Sequence, residues 1–489
     1  MKQYTNTSCL RLVRPIIIAI LTIMHIAITH CAGQVKAERS HMIKKSKRHG
    51  HKHHNAPAPA PAPQYGDHPA EASMFNVLSF GAEGDGVSDD SKVRVRVFFS
   101  LLLSSSNEQA FLAAWKAACK VPTATLVIPQ GLKFLVKPIS FKGPCMPNLV
   151  LQIDGIVQAP PKVGYWKKSS LFQWLNFKWV QNFTVQGTGT VDGQGAEWWS
   201  LSQTPHYNVQ RTSKHILGMK PTALRFYSSY NVTVRGISIV NSPLCHLKFD
   251  NSRGIKISNI AISSPEDSPN TDGIHLQNSQ HVEIEHSNIG CGDDCVSVQT
   301  GCSDVYIHHI SCGPGHGISL GGLGKDKTVA CVSNIIVDNL SLENTLYGVR
   351  IKTWQGGVGS VKNVSFSNVQ VSHVKVPMMI DQYYCDKKFC KNQTGGVTIS
   401  GVRFDQFVGT YAAQPLRIAC SHDVPCTEVD LVDIRLKPSP GLGGSREASC
   451  YNSYGKAVAP LVPASIDDCL RSDGASIKRI ARSHDVVCW

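Results

Sequence analysis

Acidic residues are scarce in this chain: 35 Asp and Glu stand against 49 Lys and Arg in 489 residues, a formal charge of +14. Such an excess suits a polyanionic partner, whether nucleic acid, an anionic membrane or an acidic polysaccharide, and does not choose among them. Much of it is local, since Lys36 to His54 holds seven Lys or Arg against the single Glu38. Cys-x-x-Cys pairs are absent, which argues against zinc as the reason for the cysteine clusters. After the first thirty or so residues no stretch is long and apolar enough to cross a bilayer. Helical periodicity is also rare, confined to Ala110–Lys120, where apolar residues recur at helical spacing and suit a cap on an open sheet edge.

The N-terminus carries Lys2, Arg11 and Arg14, an apolar run from Ile16 to about Ala27, and small residues at Cys31–Gly33. That order reads as a secretory signal peptide over residues 1–33. Secretion agrees with the cysteines. Fifteen of 17 follow Gly33, and neighbours such as Cys291/Cys295/Cys302/Cys312, Cys385/Cys390 and Cys420/Cys426 read as disulfide partners in an oxidising compartment. An odd number leaves at least one unpaired.

Residues 34–73 have no hydrophobic periodicity. A basic, His-rich stretch leads into four Ala-Pro repeats, Ala56–Pro63, which favour an extended polyproline II rod. The segment reads as a disordered linker or tether. His49, His51, His53 and His54 lack the ordered frame that a metal site requires. The folded domain is expected over residues 74–489, opening with a strand at Phe75–Phe80 and a Gly/Asp-rich loop at Gly81–Asp90. Val93–Gln109 is an unusual Ser/Leu/Phe-rich insertion. It reads either as a surface loop or hairpin, or as translated intron.

Short apolar–polar–apolar units then recur, at Val232–Val234, Ile255–Ile257, Val282–Ile284, Val305–Ile307, Ile335–Val337 and Val364–Phe366. Their first positions are 23, 27, 23, 30 and 29 residues apart. Strands at that period with almost no helix between them predict an all-β fold, a single-stranded right-handed parallel β-helix with an N-terminal helical cap. A β-propeller would need longer blades and hairpin turns. Sequons at Asn182, Asn231, Asn339, Asn363 and Asn392 suit a secreted glycoprotein. Several immediately precede a strand unit, where the Asn could instead point inward and join a hydrogen-bonded stack, so only some are expected to be modified.

Asp272, Asp294 and His316 lie 22 residues apart, with Asp293 beside the middle one. One solenoid turn spans about that length, so these residues should stack within roughly 10 Å of sheet height at about 4.8 Å per coil. Crowding like charges costs free energy and shifts their proton affinities apart, which points to acid–base chemistry. Adjacent strand residues face opposite ways, so Asp293 and Asp294 can share a cleft only if the chain bends, as Gly292 allows. Arg350 and Lys352 are two apart and share a face, fit for an ion-pair network or for a bound carboxylate.

Four motifs carry these residues: Ser268-Pro-Asn-Thr-Asp-Gly-Ile-His275, Gly292-Asp-Asp-Cys295, Gly313-Pro-Gly-His-Gly-Ile-Ser319 and Arg350-Ile-Lys352. In this order they resemble the signatures of plant-type polygalacturonases of glycoside hydrolase family 28, over about Phe75 to the C-terminus. The resemblance implies inverting hydrolysis of α-1,4-galacturonosyl bonds in de-esterified pectin, without cofactor or metal. Asp293 would be the general acid, Asp272 and Asp294 would hold the attacking water, and His316 would support proton transfer. Inverting pairs of this kind are ordinarily about 6.5–9.5 Å apart. Asn270, Gly317, Arg350, Lys352 and Tyr383 would meet substrate, with Tyr384 the alternative tyrosine. Cys295 and Cys312 would form a disulfide. Gly322 stands where plant members often have Ser, a departure expected to matter little.

The partner would then be pectin or polygalacturonate, with no nucleic acid and, after signal cleavage, no membrane. The enzyme is expected to be an extracellular, cell-wall monomer. Three rivals are a rhamnogalacturonan or xylogalacturonan hydrolase of the same fold, a Ca²⁺-dependent pectate lyase, and a catalytically silent pectin-binding wall protein.

Overall fold

The six apolar units fall in register. In the computed structural model Val232, Ile255, Val282, Val305, Ile335 and Val364 pair with one another from strand to parallel strand. The structure describes residues 73–91, 110–166, 173–203, 220–387, 389–441, 443–472 and 488. The signal peptide, nearly all of the 34–73 segment and the 93–109 insertion therefore lie outside the described residues. Parallel strands cannot be joined by tight hairpins, so each turn of chain climbs one strand spacing and returns. The described strands form one 19-stranded and one 11-stranded sheet, and the 11-stranded sheet takes one strand from each coil in sequence order. The fold is a right-handed parallel β-helix.

Alternate residues of each strand point into the solenoid, so Val232, Val234, Ile255 and Ile257 are all buried. Along the smaller sheet Phe141, Phe177, Phe226 and Phe249 stack with ring centroids 5.0, 5.0 and 4.8 Å apart. The N-terminal helix, Ala110–Ala118, buries Phe111, Ala114, Trp115 and Ala118 against this column. Trp115 contacts Phe141, Phe177 and Phe183 and donates from its indole N–H to the Lys142 carbonyl at 3.1 Å. The expected strand at Phe75–Phe80 is cut short. Only Met74–Asn76 is extended; the Asn76 side chain accepts from Leu78 N–H and starts a 3₁₀ turn that ends at left-handed Gly81.

Coil corners explain the asparagines. Asn182, Asn231, Gly254, His281, Asp304, Asn334, Asn363, Gly401 and Glu428 form one column in which every residue has φ between 48° and 69°. Asn adopts that region at less cost than most side chains, which is why it recurs there. The inward-pointing alternative for the sequons is overturned. Asn182, Asn231, Asn339, Asn363 and Asn392 are all exposed. Their ladder runs along the outside, with Asn231 donating to Asn182 at 3.1 Å and Asn363 to Asn334 at 3.2 Å.

Among the described residues six disulfides occur: Cys119–Cys145, Cys295–Cys312, Cys331–Cys488, Cys385–Cys390, Cys420–Cys426 and Cys450–Cys469. Cys291 and Cys302, grouped by sequence with possible partners, are instead buried free thiols, as is Cys245. Cys291 and Cys302 belong to the apolar core, where they pack as small hydrophobic side chains, whereas Cys245 lies within 4.8 Å of Asp272 and His275.

Candidate active site

The 22-residue interval is one coil. Ile274, Val296 and Ile318 pair in register, and two residues before each stand Asp272, Asp294 and His316. Gly273 N–H donates to the Asp294 carbonyl at 2.9 Å, and Cys295 N–H to the Gly317 carbonyl at 2.8 Å. The backbone column is therefore as expected, but the side chains do not form a single stack. His316 engages Asp293, its Nδ1 3.0 Å from Asp293 Oδ1, with a ring nitrogen also within 4.8 Å of an Asp294 oxygen.

A bend between Cys291 and Cys295 brings two consecutive acids to one side. Gly292 is essential to it, because a Cβ there would lie 1.9 Å from the Ser268 carbonyl oxygen. Gly292 N–H donates to Thr271 Oγ1 at 2.9 Å, and Asp293 Oδ1 accepts from Asp294 N–H at 2.9 Å. Oxygens of Asp293 and Asp294 lie within 4.8 Å of each other, nearer than the spacing usual for inverting pairs. The tight turn is the reason.

The two acids have different surroundings. Asp293 keeps a solvent face; its Oδ2 accepts from Asn270 Nδ2 at 3.3 Å. Asp294 is only 2% exposed. Its Oδ1 accepts from Ser319 Oγ at 2.6 Å and Arg350 Nη2 at 2.7 Å, and its Oδ2 from Lys352 Nζ at 2.9 Å. Burial alone would raise its pKa, but Lys352 and Arg350, with Ser319, outweigh burial and lower it to about 2. Asp294 is thus ionised at any ordinary pH.

Asp272 is buried too, and its Oδ2 lies 2.8 Å from His275 Nδ1. Burial raises its carboxyl above the ordinary range; the His275 hydrogen bond opposes this, while the charges of Asp293 and Asp294 add to it. Behind it His246 is wholly buried, with Nδ1 3.0 Å from the Asp272 carbonyl oxygen. Desolvation lowers the His246 pKa to about 4, so this ring is neutral and donates from Nδ1.

Arg350 and Lys352 are committed to Asp294 and are each 6% exposed. Arg350 also donates to Ser319 Oγ at 3.0 Å and lies over the Tyr347 ring, 4.1 Å from its centroid. Gly317 (φ 75°) makes room for the next coil, where a Cβ would meet the Tyr347 carbonyl at 2.2 Å and the Gly348 carbonyl at 2.1 Å. The close neighbour at that glycine is protein backbone. The two candidate tyrosines point in different directions. Tyr383 turns outward through a bond from its N–H to Asp381 Oδ1, and its hydroxyl accepts from His422 N–H at 3.1 Å. Tyr384 instead faces the site, its ring centroid 5.3 Å from Lys352 Nζ.

Ser319, His275, Tyr347 and His246 received no role from sequence. The first two lie inside the recognised motifs, and Ser319 pairs in register with Arg350. His246 and Tyr347 carry no sequence signal. As for metals, Asp293, Asp294 and His316 could each offer a ligand atom. Both Asp294 oxygens already accept from cations, which leaves little charge to attract a further one. Glu283, Glu285 and His308 form a separate group on the larger sheet, where Lys256 Nζ pairs with the two glutamates at 3.1 and 3.0 Å.

Comparison with known proteins agrees with this geometry. The family model described as Glycosyl hydrolases family 28 matches residues 119–459. A probable polygalacturonase of Arabidopsis thaliana is 37% identical over 419 residues, covering 85% of this chain and 88% of that protein. Polygalacturonase-2 of Solanum lycopersicum is 36% identical over 393 residues, with 80% of each chain covered. Among solved structures, endo-xylogalacturonan hydrolase from Aspergillus tubingensis superposes with a TM-score of 0.66 at 20% identity, covering 82% of this chain and all of that one. An exopolygalacturonase from Thermotoga maritima gives 0.61 at 19%, covering 75% and 87%. With matched β-helical coils, the four motifs in order and relatives of this identity along most of its length, the chain belongs to glycosyl hydrolases family 28.

Proposed function

We propose that this hydrolase is a secreted polygalacturonase that cleaves α-1,4 bonds between galacturonates of de-esterified pectin in the plant cell wall. The observation that carries the reading is the unequal treatment of neighbouring acids: Asp294 is buried between Arg350 and Lys352, while Asp293 stays open to solvent beside His316. Asp293 donates the proton to the leaving oxygen, and His316 fixes its carboxyl and relays a new proton to it from solvent after product leaves. Asp294, ionised at any ordinary pH, and Asp272 on the preceding coil hold the attacking water and take its proton as its oxygen bonds to the anomeric carbon and the glycosidic C–O bond breaks. Arg350 and Lys352 attract the uronate carboxylate with the positive charge that Asp294 does not cancel. Tyr384 takes the place first given to Tyr383 at the substrate.

The reading entails inversion. The short spacing of Asp293 and Asp294 falls near the range of retaining enzymes, for which Asp294 would be the nucleophile. Its surroundings argue the other way, since hydrogen bonds from two cations and a hydroxyl make both oxygens poor nucleophiles. The test is digestion of polygalacturonate in EDTA with the product anomer followed by NMR. Saturated reducing ends of inverted configuration are expected, and Asp293→Asn should lower the rate by about 10²–10⁴. Retained configuration, unsaturated ends or a fully active variant would overturn the assignment.

A further inference from the structure

The outward face of the larger sheet carries a second cluster of charged groups, which hydrolysis does not use. Lys256, Glu283 and Tyr306 pair in register on three successive strands, Arg253–Ser258, Gln280–Gly290 and Cys302–Cys312, and Glu285 pairs with His308 two residues on. Strand residues two apart share a face, so Glu283, Glu285, Tyr306 and His308 stand together. Lys256 Nζ takes one oxygen of each glutamate, Glu283 Oε2 at 3.1 Å and Glu285 Oε1 at 3.0 Å. The other two oxygens turn to His308, whose Nε2 lies 3.5 Å from Glu283 Oε1 and 3.7 Å from Glu285 Oε2.

His308 is 8% exposed, and its Nε2 is buried without a hydrogen-bond partner. Both glutamate oxygens lie beyond good hydrogen-bond range. A proton on Nε2 therefore finds no acceptor, while a lone pair there confronts two anionic oxygens. A metal cation held by the unprotonated nitrogen and both oxygens removes either fault. The separations suit it, since ligands about 2.1 Å from a tetrahedral zinc lie roughly 3.4 Å from one another. The rest of the ring is fixed, as outer contacts fix a metal-bound imidazole: His308 Nδ1 lies 2.9 Å from His309 Nδ1, and Tyr306 stacks on the ring at 4.2 Å. Among the described residues three groups bring possible ligand atoms within 4.8 Å, and this is the one whose imidazole has a buried, unpartnered nitrogen. One imidazole with two carboxylates suits a zinc-class ion, whereas calcium takes oxygen ligands.

We propose that Glu283 Oε1, Glu285 Oε2 and His308 Nε2 bind one divalent transition ion of the zinc class, with water in its fourth position. Its place gives it a task. Gln280–Gly290 runs into the bend that bears Asp293 and Asp294, and Cys302–Cys312 into the turn that bears His316. The ion clasps these two coils from outside and takes no part in hydrolysis. Lys256, on the far oxygens, opposes the second cation without blocking it.

The experiment titrates the chelator-stripped full chain with zinc alone by calorimetry, and follows its melting temperature with and without zinc. The native chain should bind zinc here and melt higher with it. His308→Gln and Glu285→Gln should each weaken this site by at least about tenfold and remove most of the melting shift. Lys256→Gln, which deletes a competing charge, should tighten binding by about tenfold, a gain that misfolding cannot imitate. A variant with His49, His51, His53 and His54 all replaced by Ala separates binding by the N-terminal histidines, and it should keep the site. The proposal is overturned if the native chain binds no zinc, if its affinity survives His308→Gln, or if the site disappears with the four N-terminal histidines. It is overturned equally if Lys256→Gln binds no more tightly than the native chain.

Discussion

Arg350 donates to Asp294 across 2.7 Å, and both side chains lie beneath the surface. Lys352 reaches the other oxygen of the same carboxylate at 2.9 Å. A buried pair of this kind contributes little net stability, but breaking it strands a charge. Asp294→Asn should therefore leave two buried cations without an anion and cost about 3–5 kcal/mol in chemical denaturation. The variant Arg350→Met should be destabilised as well, and its combination with Asp294→Asn should cost less than the sum, because the two share one interaction.

The same carboxylate sets an acid limit to stability. Its pKa falls from the ordinary 3.8 to about 2 on folding. A lowered carboxyl pKa stabilises the fold above the unfolded value, and that contribution is lost as pH falls through the folded value. Thermal melts should thus show a loss on the order of 2 kcal/mol between about pH 4 and pH 2. An Asp294→Asn protein, already weaker, should lack that segment of the curve.

Asp272 behaves in the opposite sense. Burial raises its carboxyl above 3.8, and the His275 hydrogen bond holds it back. If Asp272 must be ionised to hold water, the acid limb of kcat/KM lies above the ordinary aspartate value. Replacing His275 by Ala removes the restraint, so the limb should move to higher pH. A limb that moves to lower pH, or not at all, would show that Asp272 does not govern it.

Much of this arrangement was legible in sequence because a solenoid repeats. The spacing from Asp272 to Asp294 to His316 gave the coil length, and the triplets from Val232 to Phe366 gave the register. Side-chain direction was harder to read. His316 bonds to Asp293 and not to its column neighbour Asp294, because the Gly292 bend breaks the alternation that strand patterning assumes. The same limit hid the direction of the two tyrosines: a turn at Asp381 sends Tyr383 outward and Tyr384 inward. Contacts between coils, such as Ser319 with Arg350 or Gly322 with Trp354, depend on register across about thirty residues and leave no local pattern.

The disulfide Cys295–Cys312 ties the end of the acid-bearing bend to the strand leading into His316. It closes a short loop, so replacing both cysteines by Ala should cost about 3 kcal/mol on a chain-entropy estimate. Activity should fall more than stability alone explains, because the His316–Asp293 contact depends on how the two coils seat. Residual activity at a temperature well below melting measures this.

Gly292 offers the sharpest geometric test. A methyl group there would occupy the place of the Ser268 carbonyl oxygen, 1.9 Å away, and the obstacle is backbone with little room to yield. Gly164 is the control, since a Cβ there meets nothing within 4 Å. Gly164→Ala should fall within about 0.5 kcal/mol of the native protein, as surface changes usually do. Gly292→Ala must push apart the coils that carry Asp272 and Asp294, so it should lose several kcal/mol, as overpacking of a rigid site does, together with nearly all turnover. Full activity in Gly292→Ala would mean that Asp293 and Asp294 do not need this turn to share a cleft, and the proton-transfer scheme built on their proximity would fail with it.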